Sequence, residues 1–115
     1  MNNWADNIEM TVMHCDTKGR VTYMNKKCGE MFEQFGGMEL MGKNIFDCHP
    51  ERAKAKLKEI MDRRVSHSYS IERDGRKTML HSFPLLNDKG AYIGFGEITY
   101  DIPYDMPHFV RDKKR

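Results

Sequence analysis

The sequence predicts an α+β fold: one five-stranded antiparallel sheet with helices packed on one face. Two observations carry this. Strand-like segments group two at the start and three at the end, with helical periodicity between them. Turn sequences at Asp16-Thr17-Lys18-Gly19, Asp74-Gly75 and Asn87-Asp88-Lys89-Gly90 link neighbouring strands at hairpin length.

Each element follows in order. Trp4 to Glu9 is a short lead-in of one or two helical turns. Met10–Cys15 (MTVMHC) and Val21–Met24 (VTYM) read as strands, joined by a turn in which Asp16 can bond its own backbone and Gly19 allows positive φ. Asn25 is a helix N-cap. Behind it Cys28, Met31, Phe32 and Phe35 fall at i, i+3, i+4 and i+7, predicting one core-facing helical stripe that Gly36-Gly37 ends. Met38–Met41 is a short turn closed by Gly42, and Asn44–Asp47 a connector. Pro50 suits the first turn of a second helix. There Ala53, Leu57, Ile60 and Met61 repeat at i, i+4, i+7 and i+8, while Lys54, Lys56, Lys58, Arg63 and Arg64 take the other sides. Ser66–Arg73, Arg76–Leu86 and Ala91–Ile102 are the closing strands, with Pro84 marking an edge or a bulge in the second of them.

Composition narrows the function. The 115 residues suit one domain, and 39% hydrophobic with 31% charged residues is globular composition. Nineteen Lys+Arg against seventeen Asp+Glu give a net charge of +2, too balanced for a nucleic-acid surface. No apolar run approaches the ~20 residues of a membrane helix. Cys15, Cys28 and Cys48 are odd in number, form no CxxC pair and follow no secretory signal, so a reducing cytoplasm is expected and no structural zinc site. Ten methionines against five leucines predict a soft, adaptable core.

Four pieces in this order resemble the PAS domain family: the hairpin Asp16-Thr17-Lys18-Gly19-Arg20-Val21-Thr22-Tyr23-Met24-Asn25, the turn Met38-Glu39-Leu40-Met41-Gly42-Lys43, His49-Pro50-Glu51 at the second helix, and Asp88-Lys89-Gly90, Ile93-Gly94 and Asp101-Ile102 at the end, with Pro103 where Thr is usual. The likeness covers residues 8–103, leaving 1–7 as lead-in and 104–115 as tail, its basic end Arg111–Arg115 reading as frayed. Cys48-His49-Pro50 with Glu97 is similar, more narrowly, to PAS modules beside bacterial hemerythrin-like regulators. The resemblance implies a PAS-like fold with a pocket between sheet and helices. It implies a sensory signalling module that binds a small molecule and acts through a homodimer or a partner signalling protein, with no catalytic residues. A ligand-free interaction module, using the outer sheet face and Trp4, is one alternative, and a haem-binding sensor is a second.

The cofactor is left unknown. The light-sensing flavin motif needs a Cys where Ile45 stands, so flavin adduct chemistry is not expected. Haem ligation by a helix histidine finds none in Pro50–Arg64, and leaves His49 at the helix start as the one candidate axial ligand beside a local hydrogen bond. His14 and Cys15 are adjacent on a strand and point to opposite faces, so no metal site is expected. On the last strand, placing Ile93 and Phe95 inward carries Glu97 inward as well. A buried carboxylate needs a partner or stays protonated; the opposite register would put Glu97 in solvent. The ligand-binding candidates are Met31, Phe35, Phe46, Cys48, His49, Met61, Phe95 and Glu97.

Overall fold

The computed structural model describes residues 3–112. Five strands, β1 (Thr11–Cys15), β2 (Val21–Met24), β3 (His67–Arg73), β4 (Arg76–Leu86) and β5 (Tyr92–Ile102), form one sheet in the order β2-β1-β5-β4-β3. Every pairing is antiparallel. Two helices, α1 (Lys26–Met31) and α2 (Glu51–Arg63), lie between β2 and β3 in the chain with three 3-10 turns linking them. A further 3-10 turn, Trp4–Asn7, opens the described chain and buries Ala5. From 103 to 112 the described chain has no regular structure and exposes Tyr104, Phe109 and Val110; residues 113–115 of the basic end lie outside the described residues.

The turns explain the strand boundaries. Asp16 Oδ1 accepts from the backbone N–H of Lys18 and Arg20 (both 2.9 Å), and Gly19 takes φ +87°. The β3–β4 turn places Asp74 and Gly75 at φ +54° and +76°, the two positive values a type I′ hairpin requires. Asn87 Oδ1 accepts from Lys89 and Ala91 in the last hairpin (2.9 and 3.0 Å).

Pro84 lies in β4, between β5 and β3 in the sheet. β3 pairs with β4 only from Arg76 to Ser82, so Pro84 occupies a stretch with one free edge and needs no donor there. The ladder to β5 then slips between Leu85 and Leu86. That slip corrects the expected alternation of β5. Phe95 is buried and Tyr92 packs beside it, while Ile93, expected inward, is 50% exposed.

The helical region departs further from the periodic reading. α1 ends at Met31, and after Phe32 the residues Glu33–Phe35 form a tighter 3-10 turn ended by Gly36 at φ +118°. Three residues per turn instead of 3.6 rotate the later side chains away from the stripe. Cys28 stays buried and Phe32 half-buried, but Met31 and Phe35 are exposed. Met38 and Met41 are exposed too, so four large apolar side chains of this segment face solvent.

The core has two clusters on the helix side of the sheet. One joins Met13, Val21, Met24, Cys28 and Leu40; the other joins Cys15, Met61 and Phe95, with Phe46, Leu57, Ile60 and Tyr92 against it.

Candidate functional site

Glu97 is the polar residue at the seam of these clusters. β-register fixes its direction: it stands opposite Met13 on β1 and Ser82 on β4, and directly opposite residues share a face. Met13 and Ser82 are both buried on the helix side, so Glu97 points there too. Among the described residues no hydrogen bond reaches its carboxyl group. Among the described residues every fully enclosed side-chain nitrogen or oxygen has a partner, so the Glu97 oxygens keep contact with open space. That space is a cavity walled by Met13, Cys15, Ile45, Leu57, Met61, Phe95 and Glu97, with room of about 10 Å³, enough for about one water.

Burial pushes the Glu97 carboxyl up to about 7. The same surroundings push the Cys15 thiol up to about 11 and the Cys28 thiol to about 12, burial being the largest cause and Glu97 a lesser one in each. The pocket wall is therefore apolar, thiol-bearing and uncharged around one carboxyl group that titrates near neutrality.

The candidate residues divide. Met61, Phe95 and Glu97 meet at the cavity. Phe46 packs against the same cluster but faces a different opening, described below. His49 ends the turn Ile45–Cys48 and is half-buried; its Nδ1 lies 2.9 Å from the carbonyl oxygen of Ile45, a local bond that fixes the ring. The Cys48 side chain lies outside the described part of the structure. Met31 and Phe35 are on the surface and away from the cavity wall. Sequence reasoning missed Met13, Cys15, Ile45 and Leu57. The signal was present for three of them: Leu57 sits on the apolar stripe of α2, and Met13 and Cys15 alternate on β1 with the inward period.

Histidines elsewhere are engaged in packing. His14 stacks on Tyr23 and its Nδ1 lies 2.8 Å from Thr22 Oγ1, while His81 stacks on Phe83 and bonds Ser68, all on the outer sheet face. Among the described residues no three His, Cys, Asp or Glu side chains converge as a metal site.

A second opening lies outside the core. It is a groove of about 650 Å³ between α2, the β1–β2 turn and the start of β5, and Met61 is the one residue that lines both it and the inner cavity.

Comparison with known proteins agrees with this architecture. The family model described as PAS domain matches residues 8–102, nearly the whole chain. The chain belongs to the PAS domain family. Similar solved structures include a C-terminal domain from Streptococcus mutans (16% identity, 84% of this chain and 78% of that one, TM-score 0.69). The PAS domain of Bordetella pertussis BvgS aligns over 88% of this chain and 82% of its own at 17% identity, TM-score 0.63. The Aer2 receptor of Vibrio cholerae, described as a dual PAS-heme oxygen sensor, aligns over 82% and 95% at 21% identity, TM-score 0.61. At these identities the likeness is one of fold. No curated protein matches the sequence. Homologous PAS domains are sensory modules of signalling proteins. No described helix is long and apolar enough to cross a membrane.

Proposed function

We propose that this PAS domain is a ligand-responsive sensory module whose recognition group is Glu97. One observation carries the reading: a carboxyl group without a described hydrogen-bond partner faces an internal cavity between sheet and helices. A ligand that offers a compact hydrogen-bond donor or a cationic group satisfies it. The thioethers of Met13 and Met61 supply a wall that changes shape at low cost. Cavity space for one water means that a larger ligand must displace Met61 or Leu57, and that displacement moves α2 relative to the sheet. Movement of α2 is the signal a partner protein or a second copy would read. No catalytic role enters this reading.

The experiment is a thermal-shift screen of small amines, amides and alcohols against wild type and Glu97→Gln, with native mass spectrometry of freshly purified protein. A ligand that raises Tm in wild type and loses that effect in Glu97→Gln is the expected result. A ligand that shifts both proteins equally would show that Glu97 is not the recognition group.

The smallness of the cavity favours a second reading, a ligand-free interaction module. The exposed apolar segment of Met31, Phe35, Met38 and Met41 is its support. Haem fits the inner cavity poorly, since one water's space does not hold a macrocycle.

A further inference from the structure

The outer groove has a composition unlike the inner cavity. Its floor is apolar: Phe46, Met61 and Tyr92. Its rim carries four cationic side chains, Lys18, Lys54, Lys58 and Arg64, against two anionic ones, Glu51 and Asp62. The anionic ones are spoken for along the helix, Glu51 by Lys54 (3.2 Å) and Asp62 by Lys58 (3.4 Å). Lys18 and Arg64 take part in no ion pair among the described residues. Arg64 ends α2 in the left-handed conformation (φ 54°, ψ 38°), and its guanidinium carbon lies 4.5 Å from the centre of the Tyr92 ring. A guanidinium stacked on an aromatic face keeps its N–H edge available.

We propose that this groove binds an amphipathic organic anion, an aryl-alkyl carboxylate, with its carboxylate between Arg64 and Lys18 and its apolar body over Phe46, Met61 and Tyr92. The volume suits a small organic molecule. A bidentate Arg–carboxylate contact fixes orientation, and the apolar floor discriminates against simple ions. The site is distinct from the Glu97 cavity and opposite to it in charge preference. Met61 is the wall between them, so an occupant of the groove presses on the same side chain that closes the cavity.

The test is titration of ¹⁵N-labelled protein with 4-phenylbutyrate, 4-phenylbutylamine, 4-phenylbutanol and inorganic phosphate. Saturable shifts are expected at residues 17–18, 61–64 and 92, with the carboxylate at least ~10-fold tighter than the amine, the alcohol or phosphate, one ion-pair increment of about 1.4 kcal/mol. Arg64→Asn, a residue that tolerates the left-handed conformation, combined with Lys18→Gln should remove that preference while alcohol binding stays unchanged. Glu97→Gln should leave the titration unchanged, which separates this site from the inner one. Equal binding of amine and carboxylate, phosphate binding as tightly as the carboxylate, an unaffected double variant, or shifts centred on Glu97 would each overturn the proposal.

Discussion

The backbone N–H groups of Val12 and Cys28 donate to the same atom, Oδ1 of buried Asn25, at 3.1 and 3.0 Å. The other end of that side chain donates from Nδ2 to the carbonyl oxygens of Ala5 and Met10, both at 2.8 Å. One carboxamide thus joins the lead-in turn, β1 and the first turn of α1. Asn25→Ala should cost about 3 kcal/mol, combining a lost cap with orphaned buried groups. Asn25→Asp keeps the acceptor but turns the donor end into an oxygen facing two carbonyls, and should be at least as damaging at neutral pH. Urea denaturation of the two variants checks both.

Glu97 should make stability depend on pH. Its folded value of about 7 lies above the ordinary carboxylate value, so the folded protein holds this proton more tightly than the unfolded chain. The contribution is fully present below about pH 4.5 and is lost as pH rises to about 7, on the order of 3 kcal/mol in all. Glu97→Gln should flatten this part of the ΔG–pH curve. A variant with the same slope as wild type between pH 5 and 7 would assign the effect elsewhere.

Two glycines two residues apart on β5 should respond unequally to alanine. A Cβ on Gly94 would run into the backbone oxygen of Cys15, whereas one on Gly96 would meet the Phe83 ring at 2.6 Å. Backbone in a paired strand cannot step aside, but a ring half-exposed on the outer face can turn. Gly94→Ala should therefore disrupt β1–β5 pairing and cost several times as much as Gly96→Ala in Tm.

Methionines should divide by location. Met61→Ala should cost about 2–5 kcal/mol as a buried truncation, and Met61→Leu under about 1.5 kcal/mol. Met31→Gln and Phe35→Gln, both on the surface, should stay within about 0.5 kcal/mol of wild type. Equal losses at Met31 and Met61 would mean that the exposed segment is covered in solution.

Cys15 and Cys28 should resist thiol reagents in the folded state. Burial raises both thiols to about 11 and about 12, far above working pH, so the reactive thiolate is scarce. With Cys48→Ser as background, Ellman's reagent at pH 8 should label neither until denaturant is added.

Sheet and site were unequally legible in the sequence. Strand ends were readable to within a residue because Asp16, Asp74-Gly75 and Asn87 carry their turn chemistry locally. Glu97's inward direction was readable as one of two registers, resting on Phe95 turning inward. Ile93 was misplaced because it is the extra residue on β5 where the ladder slips, Leu85 standing opposite Gly94 and Leu86 opposite Tyr92, which breaks the period of two. Phe35 was misplaced because its i+7 spacing assumes one continuous α-helix, while the chain tightens into a 3-10 turn after α1; Met31 is the last residue of α1 and lies on the exposed flank of the stripe. The outer groove was invisible, since it depends on how the C-terminal end of α2 meets a β1–β2 turn some forty residues earlier.

The near-closed inner cavity sets how tightly any occupant can be measured to bind. A ligand needing more than a water's space meets only the fraction of molecules in which Met61 has moved aside. If that fraction were about one in a hundred, a ligand with micromolar intrinsic affinity would register as about a hundred-fold weaker. Weak binding in a screen would then report the rarity of the open form, and a smaller side chain at position 61 would strengthen affinity while weakening the fold.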